Sequence, residues 1–230
     1  MNFLNTFKKL TKFELGLWLT SVVVILFSFI LSGGEDIMTV VASLIGVTAL
    51  IFLAKGYILG QVLCIIFSVF YGLISFFFCY YGEMITYIFM TTPAAIASLV
   101  SWIRHPYKES DEVEVNRVNK KQIILMIILS MIVTVIFYYI LLAMRNANLL
   151  FSVISVTTSF VASYLTYLRS PFYALGYAVN DIVLIVLWTL ATVENINYLP
   201  MILCFVMFLA NDLYGFYNWK RMQSRQVNDI

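Results

Sequence analysis

The sequence predicts an all-α polytopic membrane protein of eight spans, grouped 1 + 3 + 1 + 3, with both termini in the cytoplasm. Three observations carry that prediction. Of 230 residues, 62% are hydrophobic and 11% charged, with mean hydropathy +0.94; a soluble domain is about 25% charged. Apolar runs of ~20 residues, the length a helix needs to cross a bilayer, recur along the whole chain. The basic residues also segregate to one side of an eight-span arrangement. The apolar runs are continuous and do not alternate, which argues against a β-barrel. No separate soluble domain is expected.

The elements follow in order. An extra N-terminal span at 16–31 sits within 1–36. It is preceded by Lys8, Lys9 and Lys12, but "FSFILSGGEDI" offers no A-x-A cleavage site, so it reads as a span and not a signal peptide. Spans at 37–53, 58–80 and 84–102 form a first triplet, 37–103. A polar loop, "RHPYKESDEVEVNRVNKKQ", and a linker span at 123–144 occupy 104–148. Spans at 149–168, 172–193 and 198–219 form a second triplet, 149–219, before a tail at 220–230. In this scheme Lys55, Arg104, Lys108, Arg117, Lys120, Lys121, Arg169, Lys220, Arg221 and Arg225 join the N-terminal lysines on one side. Only Arg145 lies on the other, with Glu35, Asp36, Glu83 and Glu194. The positive-inside rule makes the lysine-rich side cytoplasmic.

The two triplets resemble each other. "YILGQVLC" at Tyr57 and "YALGYAVN" at Tyr173 share Tyr-x-Leu-Gly, each after a short turn carrying a basic residue. Each precedes a long span, a short link and another span. An odd linker span between them gives both triplets the same orientation. Parallel repeats of this kind occur in transporter folds whose solute sits between the repeats near the membrane midplane.

The polar residues inside the spans are the functional candidates. Asp181, beside Asn180, lies mid-span, where a carboxylate costs roughly 2.5–3.5 kcal/mol on insertion scales. Tyr177 is four residues earlier and Trp188 seven later, so helical spacing puts all three on one stripe. An acid between two aromatics suits a ligand with a flat ring and hydroxyls. The alternative is an interhelical hydrogen bond that holds the bundle. Asn211 and Asp212 repeat the amide–acid pair in the last span, Asn211 being the deeper candidate. Trp219, followed by Lys220 and Arg221, reads as an interface anchor. In the first triplet the candidates are Gln61, Tyr71, Tyr87, Thr91 and Thr92. Pro93 is expected to kink its span.

Several chemistries are not supported. Cys64, Cys79 and Cys204 lie apart in apolar runs and read as buried free thiols, neither a metal site nor a disulfide framework. His105, the only histidine, is in the polar loop, where it cannot relay protons through the membrane. Walker A, H-E-x-x-H and Ser-His-Asp arrangements are missing from the spans, so neither ATP-driven transport by this chain alone nor catalysis is indicated. "GYILG" at 56–60 matches G-x-x-x-G and is expected to permit close helix packing. A passive small-solute transporter is the leading class. A lipid-modifying enzyme and a scaffolding or sensing subunit are the competitors; the first would place its acids at one interface, the second needs no polar midplane.

The residues collected so far resemble the PnuC-type vitamin transporters. The matching pieces are "LAKG" at 53–56, "YGEM" at 81–84, Pro93 followed by Trp102, Val179 and Asn180 followed by Trp188, and "YGFYNW" at 214–219. They cover nearly the whole chain; no single piece is specific, but their order is. The resemblance implies two triple-helix bundles joined by a linker helix, as in the SWEET proteins. It implies facilitated uptake of nicotinamide riboside or a related vitamin or nucleoside across a bacterial plasma membrane, with a cytosolic kinase trapping the product. It also implies a homotrimer, no cofactor, and no partner other than solute and lipid; nucleic acid has no place in it. Two departures stand out. Riboside importers of this family tend to carry Trp-x-x-Trp early in the seventh span, where this chain has Ala174 and Tyr177, and Pro-Met-Gln in the fourth, where it has Pro93, Ala94 and Ala95. A relative taking (deoxy)nucleosides, thiamine or riboflavin is the alternative.

Overall fold

The computed structural model describes residues 6–31, 37–77, 81–146, 148–194 and 199–228. Eight of its helices are long and apolar enough to cross a membrane. They are α1 (Lys12–Leu31), α2 (Ile37–Ala54), α3 (Ile58–Phe77), α4 (Tyr81–Arg104), α5 (Lys120–Ala143), α6 (Leu149–Tyr167), α7 (Phe172–Glu194) and α8 (Leu199–Asn228). Glu35, Asp36, Cys79 and the Glu194 side chain lie outside the described residues. Cys64 and Cys204 are free thiols.

Capping sets the boundaries that hydropathy misses. α1 starts at Lys12, not 16, because Thr11 and Glu14 close a reciprocal box: the Glu14 amide donates to Thr11 Oγ1 (3.2 Å) and the Thr11 amide to Glu14 Oε2 (2.6 Å). Asn119 and Gln122 cap α5 in the same way. α4 is α-helical except for a π-helical segment at Thr86–Thr91. Pro93 has no amide to give, and the wider turn before it re-pairs the backbone, Thr92 donating to the Tyr87 carbonyl. The expected kink is thus a π-segment one turn earlier. α8 runs nine residues past Trp219, through the polar tail.

Residues 105–119 form a strap across the face where α2, α4, α6 and α8 end. The Val113 amide donates to the Gly56 carbonyl (3.0 Å) and the Asn116 amide to the Arg169 carbonyl (3.0 Å). Gln226 on α8 brackets the strap, accepting from the Val115 amide (2.8 Å) and donating to the Val113 carbonyl (3.1 Å). Lys9–Asp111 and Arg225–Glu112 ion pairs fasten its rim. Arg169 donates to the Glu114 carbonyl and to Ser101 Oγ, and burial lowers its pKa. Burial, helped by Glu112 and Asp111, pushes the Tyr57 phenol up to about 12.

Beneath the strap, helix ends are tied in a reciprocal pattern. α2 and α6 both end in a turn with left-handed φ, at Gly56 (+68°) and Arg169 (+57°). In each, two amides return to the last carbonyls: Gly56 to Leu53 and Tyr57 to Phe52, Arg169 to Thr166 and Ser170 to Leu165. Trp219 Nε1 then donates to the Leu53 carbonyl (2.8 Å) and Asn218 Nδ2 to Ala54 (2.8 Å). Trp102 Nε1 donates to the Thr166 carbonyl (3.0 Å) and Ser101 Oγ to Tyr167 (2.8 Å). Trp219 is therefore not an interface anchor. It is fully buried, its ring tilted 48° against that of Trp102 at 5.4 Å, because exposed helix-end carbonyls need donors in an apolar layer. Gly56 likewise serves the turn's backbone angle. Gly60 is the packing glycine, since a Cβ there would lie 2.6 Å from the Leu53 nitrogen.

α1 is bound to this assembly by Glu14, which is 2% exposed. Its carboxylate accepts from Lys55 Nζ (3.0 and 3.1 Å) and Tyr214 OH (2.8 Å) as well as the Thr11 amide.

Candidate functional site

Two connected chambers lie within the bundle. The larger, about 260 Å³, reaches the start of α4 and the α5–α6 connection, on the face opposite the strap. The smaller, about 110 Å³, lies toward the Trp102–Trp219 layer. Tyr87, Thr91, Ser159, Asn180, Leu184 and Phe205 line both, forming a neck between them.

Most candidates from the sequence reach these walls. Tyr71 and Trp188 line the larger chamber. Tyr71 packs on Tyr87 at 4.6 Å and donates to Glu83 Oε2 (3.2 Å). Asn180 sits at the neck, held by α6: its Oδ1 accepts from Thr158 Oγ1 (2.9 Å) and Ser155 Oγ (3.2 Å). Gln61, Tyr177, Asp181 and Asp212 line the smaller chamber. Tyr177 hydrogen-bonds Ser163 on α6 (2.9 Å). The carboxyls of Asp181 on α7 and Asp212 on α8 lie against each other. Among the described residues, Asp181 Oδ2, Gln61 Nε2 and Thr91 Oγ1 are buried without a hydrogen-bond partner.

Three of the expectations meet a different placement in the structure. Tyr177 and Trp188 do not flank one ring, because they face different chambers. Eleven residues of helix separate them, ~16 Å along the axis, far more than a ring's thickness. Asn211 lies outside both linings and is tied to α1 and its own helix, donating to Ser21 Oγ (3.0 Å) and the Met207 carbonyl (2.8 Å). Thr92 is also outside; its hydroxyl bonds Ser68 Oγ (2.9 Å) and the Tyr87 carbonyl (2.8 Å), bracing the π-segment.

Sequence reading missed the α6 wall. Ser152, Ser155, Ser159 and Ser163 recur every three or four residues and all line a chamber. That serine stripe was a readable signal. Glu83, read as an interfacial charge, turns into the larger chamber beside Tyr71. Phe205 at the neck carried no distinguishing signal among so many apolar neighbours. The described residues contain no cluster of three His, Cys, Asp or Glu side chains that would hold a metal ion.

Eight membrane-length helices surround chambers walled by hydroxyls, amides and aromatic rings, an arrangement that suits a small solute crossing a membrane. The family model described as "Nicotinamide mononucleotide transporter" matches residues 36–221, most of the chain. The chain belongs to that family. It is 28% identical over 191 residues to the nicotinamide riboside transporter PnuC of Neisseria mucosa, covering 80% of this chain and 72% of that one. A crystal structure of the vitamin B3 transporter PnuC superposes with TM-score 0.79 at 26% identity over 94% of both chains.

Proposed function

We propose that the protein mediates facilitated uptake of nicotinamide riboside or a closely related vitamin or nucleoside across the bacterial plasma membrane, a cytosolic kinase trapping the solute. The observation that carries the proposal is the neck at Asn180. It joins a chamber that reaches the start of α4 and the α5–α6 connection to a smaller one that lies toward the Trp102–Trp219 layer and the strap. Alternating access needs such a path between the two faces, walled by groups that can hold a solute midway. The relatives' names supply the solute. The reciprocal tryptophan bonds support two parallel three-helix repeats of SWEET-like arrangement, 37–103 and 149–219, since each repeat's last helix caps the other's first. The basic strap face is taken as cytoplasmic, with both termini. A homotrimer is the assembly proposed.

A second reading, transport of a (deoxy)nucleoside, thiamine or riboflavin, is favoured by one feature. Ala95 lines the smaller chamber where riboside importers tend to carry glutamine, so that wall offers room in place of an amide. The test is a thermal-shift screen of the detergent-purified protein against nicotinamide riboside, thiamine, riboflavin and ribo- and deoxynucleosides, since a ligand binding only the folded state raises the melting temperature. Stabilisation by nicotinamide riboside, lost in Asn180→Ala, is expected. Stabilisation by nucleosides alone selects the second reading, and stabilisation by none contradicts both.

A further inference from the structure

We infer that Asp181, Asp212 and Gln61 form a cation subsite in the smaller chamber, one that holds a proton when empty and releases it to water when the positively charged group of the solute takes its place. The inference rests on the transporter reading above and specifies which chemistry that chamber selects. Asp181 and Asp212 are 4% and 5% exposed and come from adjacent helices, with their carboxyls together. Among the described residues, no Lys, Arg or His lines either chamber. Glu14, a further buried acid among the described residues, is handled differently: it is matched by Lys55. Two carboxyls in a dry site repel unless a proton or another positive charge stands between them, and no basic side chain among the described residues lining the chamber supplies one.

Helix packing alone does not account for the pair. A carboxyl serving as interhelical glue would engage its oxygens, yet Asp181 Oδ2 has no partner among the described residues. Gln61 is the independent sign of a ligand. It is 2% exposed, comes from α3 on the same chamber, and its Nε2 is a donor without an acceptor. The carboxyl pair and this amide ask for a solute with a cationic ring or amine beside a hydrogen-bond acceptor. The other titratable groups around the pair are Cys64 on α3, Tyr87 on α4, Tyr173 and Tyr177 on α7, and Cys204 on α8. None is a cation.

The test compares two ligands of one shape and different charge: nicotinamide riboside, a cation, and its neutral dihydro form. Calorimetric affinities of the purified full chain are measured between pH 6 and 8. Displacement of one proton makes the cation bind tighter as pH rises, approaching about tenfold per unit, while the neutral form shows no slope. Asp212→Asn removes the slope and the preference for the cation. A cation affinity flat with pH in the unaltered protein overturns the subsite while leaving the transporter reading intact, provided either form binds. Binding of neither form, nor of thiamine or any nucleoside, overturns both.

Discussion

Lys55→Met tests how α1 is held. Lys55 Nζ gives two hydrogen bonds to Glu14, whose side chain is 2% exposed while that of Lys55 is 12% exposed. Methionine keeps the stem and removes the charge. Stripping one partner from a buried pair costs about 3–5 kcal/mol, because the other charge is left uncompensated. Glu14 retains the Thr11 amide and the Tyr214 hydroxyl, which lowers the expected loss to roughly 2–4 kcal/mol. For a chain of this length that is roughly 5–15 °C of melting temperature. The assay is thermal unfolding of the detergent-purified protein. Glu14→Gln in the Lys55→Met background removes the orphaned charge and is expected to restore most of the loss. If Lys55→Met melts within about 1 °C of the parent, or the double variant recovers nothing, the buried-pair reasoning is wrong.

Two further outcomes are expected. Trp219→Phe and Trp102→Phe each keep a ring in the layer and lose one hydrogen bond, so each costs about 1 kcal/mol in the same assay. Truncation of either to alanine costs about 3–5 kcal/mol. A large difference between the two Phe variants would break the proposed equivalence of the repeats. Asn211→Ala removes the bonds to Ser21 and Met207 and lowers stability by about 1 kcal/mol, but leaves ligand affinity unchanged. A large loss of affinity there would return Asn211 to the binding site.

Much of the fold was legible because lipid imposes a simple rule: every span must be helical and apolar for about 20 residues. The segregation of Lys and Arg to one side then selected eight spans. What hydropathy could not show was capping. The Thr11–Glu14 box pulled α1 back to Lys12, and Gln226 anchored a polar extension of α8. The site was half legible. Asp181, Asn180 and Gln61 stood out because polar groups are expensive in apolar runs, and each lines a chamber. Helical phase alone could not say at what depth a residue on the stripe meets the cavity. Tyr177 and Trp188 share a face yet serve different chambers. Nor could it separate Asn211, which binds α1, from Asp212, which lines the cavity, since the two are adjacent in sequence.

Transport itself is tested most directly by counterflow in proteoliposomes. Vesicles containing the purified protein are loaded with unlabelled nicotinamide riboside and diluted into a trace of labelled solute. A passive carrier accumulates label transiently without ATP or an ion gradient, the uptake saturates, and Asn180→Ala abolishes it. An ion leak that is independent of solute, with no saturable accumulation of nicotinamide riboside, thiamine, riboflavin or any nucleoside, would contradict the proposed function.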